Sequence, residues 1–213
     1  MSRKKRSSAE ARRILPLLDD TFAEKDLAKG EKGRPFLPGG GVDFNISHSG
    51  ALAAVSLAKG RNLRTGCDIE LIRRRPGAAE IAEEFFSAAE IKYLFPHDKF
   101  DEARFYEIWT LKECFLKLRG LSVFDMAAAP SFIGSEGSCK GQFFFEAAVA
   151  TALSFRLYGL SGGGESYMLA TAIEGPMQTQ PAIRWFSQTS LACRMIAEIK
   201  AAPNPAETVR AKK

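Results

Sequence analysis

Thr65-Gly66-Cys67-Asp68-Ile69-Glu70-Leu71-Ile72 reads as a short strand, and its charged face organises the reading of everything around it. Successive side chains on a strand alternate between faces, so Asp68 and Glu70 leave the same face with Cα atoms about 7 Å apart. Two carboxylates so placed repel unless a cation stands between them. Hard oxygen ligands favour magnesium or calcium, and magnesium characteristically combines few carboxylates with substrate phosphates. Taken alone, the pair also fits two solvated acids on an edge strand.

Upstream, the run from Gly30 to Gly41 holds five glycines and two prolines and reads as loop. It delivers the chain into Val42-Asp43-Phe44-Asn45-Ile46, which alternates like a strand, and Ser47-His48-Ser49-Gly50 turns it. Ala51 to Ala58 is apolar enough for a buried strand, and Lys59 to Arg64 is a polar connection. His48 lies within a cluster of hydroxyls able to donate to phosphate oxygens, or is a satisfied turn histidine. Before the loop, Ile14, Leu15, Leu17, Leu18 and Phe22 have helical spacing interrupted by Pro16, behind a flexible basic start over residues 1–13.

Downstream, Ala78 to Phe86 is helical in pattern, and Ser87-Ala88-Ala89-Glu90 is a capping-box signature opening a second helix through Leu94. Glu90 is thus either a cap or a site residue. Asp101 can N-cap the longest helix, which runs to about Leu118 and ends at Gly120. Along it Ile108, Leu111, Phe115 and Leu118 form an apolar stripe, while Trp109, Glu113 and Lys117 line a different face. Glu113, with Lys112 beside it and Lys117 one turn on, suits a metal ligand or proton acceptor near phosphate, or a surface ion pair. Segments 142–150, 153–160 and 166–174 read as strands, so the class is α+β with antiparallel pieces. Ala51 to Ala58 and Tyr167 to Ile173 share a faint small-and-apolar pattern. Leu191, Met195 and Ile199 recur at i, i+4, i+8 and predict an amphipathic helix over 189–201, ahead of a disordered end from Pro203.

Bulk properties exclude several functions. The net charge is +5, but residues 1–13 carry +5 and residues 177–213 carry +4, which leaves the body at −4. Nucleic-acid binding, which wants a basic groove with interleaved aromatics, does not fit an acidic body with basic ends. The apolar stretches are too short or interrupted to span a bilayer, and the charged start lacks a secretory h-region, so the expectation is a cytoplasmic protein with no membrane contact. The four cysteines form no CxxC pair and read as free thiols, and with two histidines a structural zinc site has few ligands.

The order of the blocks is more specific than any one of them. Gly33-Arg34-Pro35, Phe44-Asn45-Ile46-Ser47-His48-Ser49, Gly66-Cys67-Asp68-Ile69-Glu70, Phe86-Ser87-Ala88-Ala89-Glu90 and Trp109-Thr110-Leu111-Lys112-Glu113-Cys114-Phe115-Leu116-Lys117 together resemble the 4′-phosphopantetheinyl transferases of the surfactin-synthetase-activating type. The resemblance covers roughly residues 33–174. It implies a pseudo-two-fold arrangement of two similar α/β halves: 1–62 as a shortened N-terminal half, 63–176 as a C-terminal half with the metal site, and 177–213 as an extension.

It further implies transfer of the phosphopantetheine arm of coenzyme A to a serine of an acyl, peptidyl or aryl carrier protein by a monomer. Asp68, Glu70 and Glu113 would hold Mg²⁺, and Ser47 and His48 would meet coenzyme A phosphate, with His48 also among the catalytic candidates. Lys117, and Lys112 beside it, would offset phosphate charge. Glu113 is the candidate base and Glu90 an orienter of water. Arg34, expected to contact coenzyme A, stands where the family usually has lysine, keeping the charge but not its geometry. Only 32 residues precede Gly33, where the family has a longer basic segment, so Arg12 and Arg13 are the substitutes for its nucleotide contacts. The runner-up implication is a non-catalytic coenzyme A or carrier-protein binding module.

Overall fold

The computed structural model describes residues 27–30, 33–133, 142–147, 151–162, 164–175, 182–189 and 192–200. The short helix expected near residues 14–22, the basic start, Arg12 and Arg13 lie outside them, as do Cys139 and the end from Pro203. The chain divides into two units, Met1–Gly175 and Pro176–Lys213.

Within the first unit, β1 (Ala28–Lys29) pairs antiparallel with β2 (Pro35–Phe36), a short ribbon inside what reads as loop from sequence. Then β3 (Val42–Ser49) and β4 (Leu52–Lys59) form a hairpin in full register, Val42 opposite Lys59 and Ser49 opposite Leu52. Ser47 to Ser49 therefore belong to the strand, and of the four residues expected to turn the chain only Gly50 lies in the turn. The next strand, β5 (Arg64–Leu71), opens a four-stranded antiparallel sheet of order β5-β8-β7-β6, completed by β6 (Gln142–Ala147), β7 (Thr151–Gly162) and β8 (Glu165–Gly175). The two elements of the faint repeat each pair antiparallel with the strand that carries site residues: β4 with β3, and β8 with β5.

No backbone ladder joins β3 to β5; side chains of β3 supply one. Asp43, Asn45, Ser47 and Ser49 accept from the backbone N–H groups of Thr65, Cys67, Ile69 and Leu71, each 22 residues further along. The constant offset means that the two strands run in the same direction, with alternate residues of β3 turned toward β5. Each acceptor satisfies a buried N–H that would otherwise cost about 1–3 kcal/mol.

Three helices follow β5; the longest lies on the larger sheet and the two shorter ones pack on it. The first, α1 (Ala78–Phe85), precedes α2 (Ala88–Leu94), whose N-terminus carries the expected reciprocal box between Ser87 and Glu90. The long α3 (Glu102–Arg119) is N-capped by the Asp101 side chain and ends at Gly120 with φ 67°, a left-handed conformation that glycine adopts without Cβ strain. Ile108, Leu111 and Leu118 are fully buried as the stripe predicts, yet Thr110, Lys112, Cys114 and Leu116 are buried too. The helix is enclosed on nearly all sides, so its apolar and functional faces are less separate than spacing alone implies. Phe105 stacks between Phe86 (5.6 Å) and Trp109 (5.7 Å), tying α1 to α3. Burying each such side chain contributes about 1.5–3 kcal/mol.

In the second unit, β9 (Ala182–Thr189) and β10 (Ala192–Lys200) form an antiparallel hairpin. This corrects the helix expected over 189–201. The i, i+4, i+8 spacing describes that segment in isolation, whereas Ile183-Arg184-Trp185-Phe186, rich in strand formers, lies just across the turn and pairs with it.

Candidate active site

Gly66, Asp68 and Glu70 share one face of β5, and Gly66 sets how closely α3 can lie there. A Cβ at Gly66 would meet the Cys114 carbonyl oxygen at 2.7 Å and Leu118 Cβ at 3.0 Å. With the helix this near, Lys117 reaches the next position on the face and donates to Asp68 Oδ1 at 2.5 Å and to Ser47 Oγ at 2.8 Å. Ser47 donates its own hydrogen to the same Asp68 oxygen at 2.8 Å. Asp68 is 2% exposed, and its other oxygen, Oδ2, is buried without a hydrogen-bond partner among the described residues. Glu70 Oε2 accepts from Ser49 Oγ at 3.0 Å.

Electrostatics bind the expected residues into one group. Burial first, then the Asp68 charge, pushes the Glu113 carboxyl up to about 7, opposed by Lys117. Glu70 is raised by the same two causes, with its hydrogen bond from Ser49 acting the other way. Burial alone would lower Lys117, but Asp68 more than offsets it and holds the ammonium above its usual range. An acid near neutrality beside a firmly charged lysine can exchange a proton while the lysine holds an anion.

Among the described residues, no group of three or more His, Cys, Asp or Glu side chains is gathered to hold a metal ion. The Lys117 ammonium is the cation that lies against Asp68. Two features nonetheless fit a hard divalent ion: the donors are all carboxylate oxygens, and Asp68 Oδ2 is a buried anionic oxygen lacking a partner.

The remaining expected residues are elsewhere or otherwise engaged. Lys112 and Glu90 pair with each other at 3.1 Å, both almost fully buried, with the ammonium 5.6 Å over the Phe86 ring. Glu90 also accepts from the backbone N–H groups of Ser87 and Phe132. Both of its oxygens are thereby used within the helical layer. Arg34 spreads its guanidinium over Asp43, the Phe44 and Thr65 carbonyls, and the Lys117 and Leu118 carbonyls at the end of α3. It ties the helix terminus that carries Lys117 to β3 and β5, an architectural place for a residue expected to contact coenzyme A. His48, next in sequence to Ser47, falls by strand alternation on the opposite face, that of Phe44 and Ile46. Cys67 and Cys114 are buried free thiols.

Three participants escape the sequence reading. Ser49 stands in a recognised block, yet only the fold shows it against Glu70. Arg75 lies 4.8 Å over the Trp109 ring, and its charge opposes the upward shifts of Glu70 and Glu113. Tyr106, one helical turn before Trp109, is raised by burial and by Glu70. The signal available for Arg75 was the run Arg73-Arg74-Arg75 directly after the acidic strand.

Residues 64–172 match the family model of the 4′-phosphopantetheinyl transferase superfamily, a span that includes β5, all three helices and most of β8. The chain is 36% identical over 114 residues to the 4′-phosphopantetheinyl transferase AcpT of Salmonella typhimurium, covering 52% of this chain and 57% of that protein. It is 36% identical over 110 residues to AcpT of Escherichia coli, covering 50% and 54%. The 4′-phosphopantetheinyl transferase Sfp of Bacillus subtilis is 37% identical over 92 residues, covering 42% of this chain and 39% of that protein. The chain thus matches about half the length, or less, of these curated relatives. With the family model spanning half of the chain and containing Asp68, Glu70, Glu113 and Lys117, the chain belongs to the 4′-phosphopantetheinyl transferase superfamily.

Proposed function

We propose that this chain transfers the 4′-phosphopantetheine arm of coenzyme A to a serine hydroxyl of a carrier protein, with Mg²⁺ as its metal and 3′,5′-ADP as the leaving group. The observation that carries the reading is the meeting of β5 and α3: a buried Asp68 with one oxygen held by Lys117 and the other unpartnered, beside Glu70 and a Glu113 near neutrality. The names of the relatives support the same activity.

In this reading Asp68, Glu70 and Glu113 would hold the ion, which supplies positive charge for the pyrophosphate when bound. The attacking serine must lose a proton, and Glu113, directly or through water, takes it; such general bases typically contribute about 10²- to 10⁴-fold. Lys117 meets the charge that spreads over the phosphoryl oxygens. Residues 1–62 and 63–176 act as the two halves flanking coenzyme A, with 177–213 an extension. The setting is a cytoplasmic monomer, and no described helix is long and apolar enough to cross a membrane. The surfactin-activating type is a finer assignment, supported by the ordered blocks and the partial match to Sfp.

Incubation with an apo carrier protein, coenzyme A and Mg²⁺ tests this by mass spectrometry. A phosphopantetheine mass on the carrier, lost with EDTA, is the expected result; no addition across a panel of fatty-acid, polyketide and peptide carriers would remove the reading. The ungathered carboxylates favour one alternative, a coenzyme A or carrier binding module without turnover. Calorimetric coenzyme A binding with no transfer would select it.

A further inference from the structure

Two serines of β3 stand between the backbone of β5 and the acids of its acidic face, Asp68 and Glu70. Ser47 Oγ accepts from Ile69 N at 3.2 Å and donates to Asp68 Oδ1 at 2.8 Å. Ser49 Oγ accepts from Leu71 N at 3.0 Å and donates to Glu70 Oε2 at 3.0 Å. The same relation is thus repeated two residues on, serine i to backbone i+22 and to carboxylate i+21.

A hydroxyl has one hydrogen and two acceptor sites. Once a backbone N–H of β5 takes an acceptor site, the single hydrogen is free for the carboxylate, and Lys117 fills the second acceptor site of Ser47 at 2.8 Å. Nothing on β5 itself offers these carboxylates a donor in that position, since its N–H groups on this side are directed at β3. The two upstream rungs, Asp43 to Thr65 and Asn45 to Cys67, carry acceptor side chains and reach no acid of the site. Serine occurs only at the two rungs that abut Asp68 and Glu70.

We propose that Ser47 and Ser49 are positioning residues that hold one oxygen of Asp68 and one of Glu70, and so select the other oxygen of each as the donor to a divalent cation. The inference rests on the metal reading above and assigns to the N-terminal hairpin a role in a site whose carboxylates all lie in the C-terminal half. It gives the unpartnered Asp68 Oδ2 a cause: Ser47 and Lys117 occupy Oδ1, and Oδ2 is what they leave. It also reassigns Ser47, whose hydroxyl is fully used by protein groups, from phosphate contact to carboxylate support.

Mn²⁺ binding, read from the loss of its free electron paramagnetic resonance signal with no carrier present, measures this without turnover. Ser49→Ala is expected to weaken Mn²⁺ binding about tenfold, the usual effect of removing a hydrogen bond to a metal-binding carboxylate. Ser49→Thr, which retains the hydroxyl, is expected to restore most of the affinity. Thermal melts of both variants separate this from loss of fold, and amide exchange at Leu71 should quicken in the alanine variant alone. Undiminished Mn²⁺ binding by folded Ser49→Ala, or equal weakening by Ser49→Thr, overturns the proposal and leaves the metal reading standing. Absence of Mn²⁺ binding by the parent chain, with and without coenzyme A, overturns both.

Discussion

Replacing Glu113 by glutamine isolates the electrostatic cost of the acidic group on β5 and α3. Burial and the Asp68 charge raise its carboxyl from 4.5 to about 7 in the folded protein. The folded state therefore binds more protons than the unfolded one across that interval. Stability falls as pH rises through it, because the slope of the unfolding free energy with pH follows protons bound unfolded minus protons bound folded. At about 1.4 kcal/mol per pKa unit, ionised Glu113 costs about 3 kcal/mol once the pH is well above 7. Glutamine keeps the shape and removes the charge. In EDTA, urea denaturation followed by tryptophan fluorescence should show Glu113→Gln close to the parent at about pH 5 and more stable by about 2–3 kcal/mol at about pH 8.5. The same variant should lose transfer activity. Equal destabilisation at both pH values, or a parent whose stability rises from pH 5 to 8.5, would refute the argument.

Other outcomes follow from the same geometry. Mn²⁺ affinity should rise with pH through about 7 as Glu113 ionises, and Arg75→Ala, by removing a charge that favours ionised Glu113, should move that midpoint upward in calorimetric titrations. Gly66→Ala should destabilise by about 1–3 kcal/mol in thermal melts, since its Cβ meets the Cys114 carbonyl at 2.7 Å, and should weaken metal binding by shifting Lys117 and Glu113. Lys112→Met should cost about 3–5 kcal/mol by leaving Glu90 buried and uncompensated, and Glu90→Gln in the same chain should recover part of it. Recovery of nothing, or a stable Lys112→Met with a selective loss of coenzyme A binding, would return Lys112 to the phosphate site.

Short-range chemistry was legible. The box at Ser87 and Glu90, the Asp101 cap, the Gly120 stop and the alternation through Asp68 and Glu70 each depend on residues within one turn or a few strand positions, and each is found where its local pattern puts it. The span 189–201 was not legible for the opposite reason: its partner strand, not its own period, decides it. Arg34, Lys112 and Glu90 kept the charges that the block pattern led one to expect, while their partners, set by packing, turned them into supports.

The sequence by itself determined the α+β class, the order of the blocks and the presence of Asp68, Glu70, Glu113 and Lys117, because periodicity and residue type act locally along the chain. Only the tertiary structure decided which charges meet. A residue 49 positions away brings its ammonium to Asp68, and one 21 positions away its hydroxyl, and no local rule reports such distances. Packing then divides the roles: the same carboxylate chemistry gives a supporting Glu90 where a lysine and backbone N–H groups enclose it, and a Glu113 raised to about 7 by burial and then by the Asp68 charge.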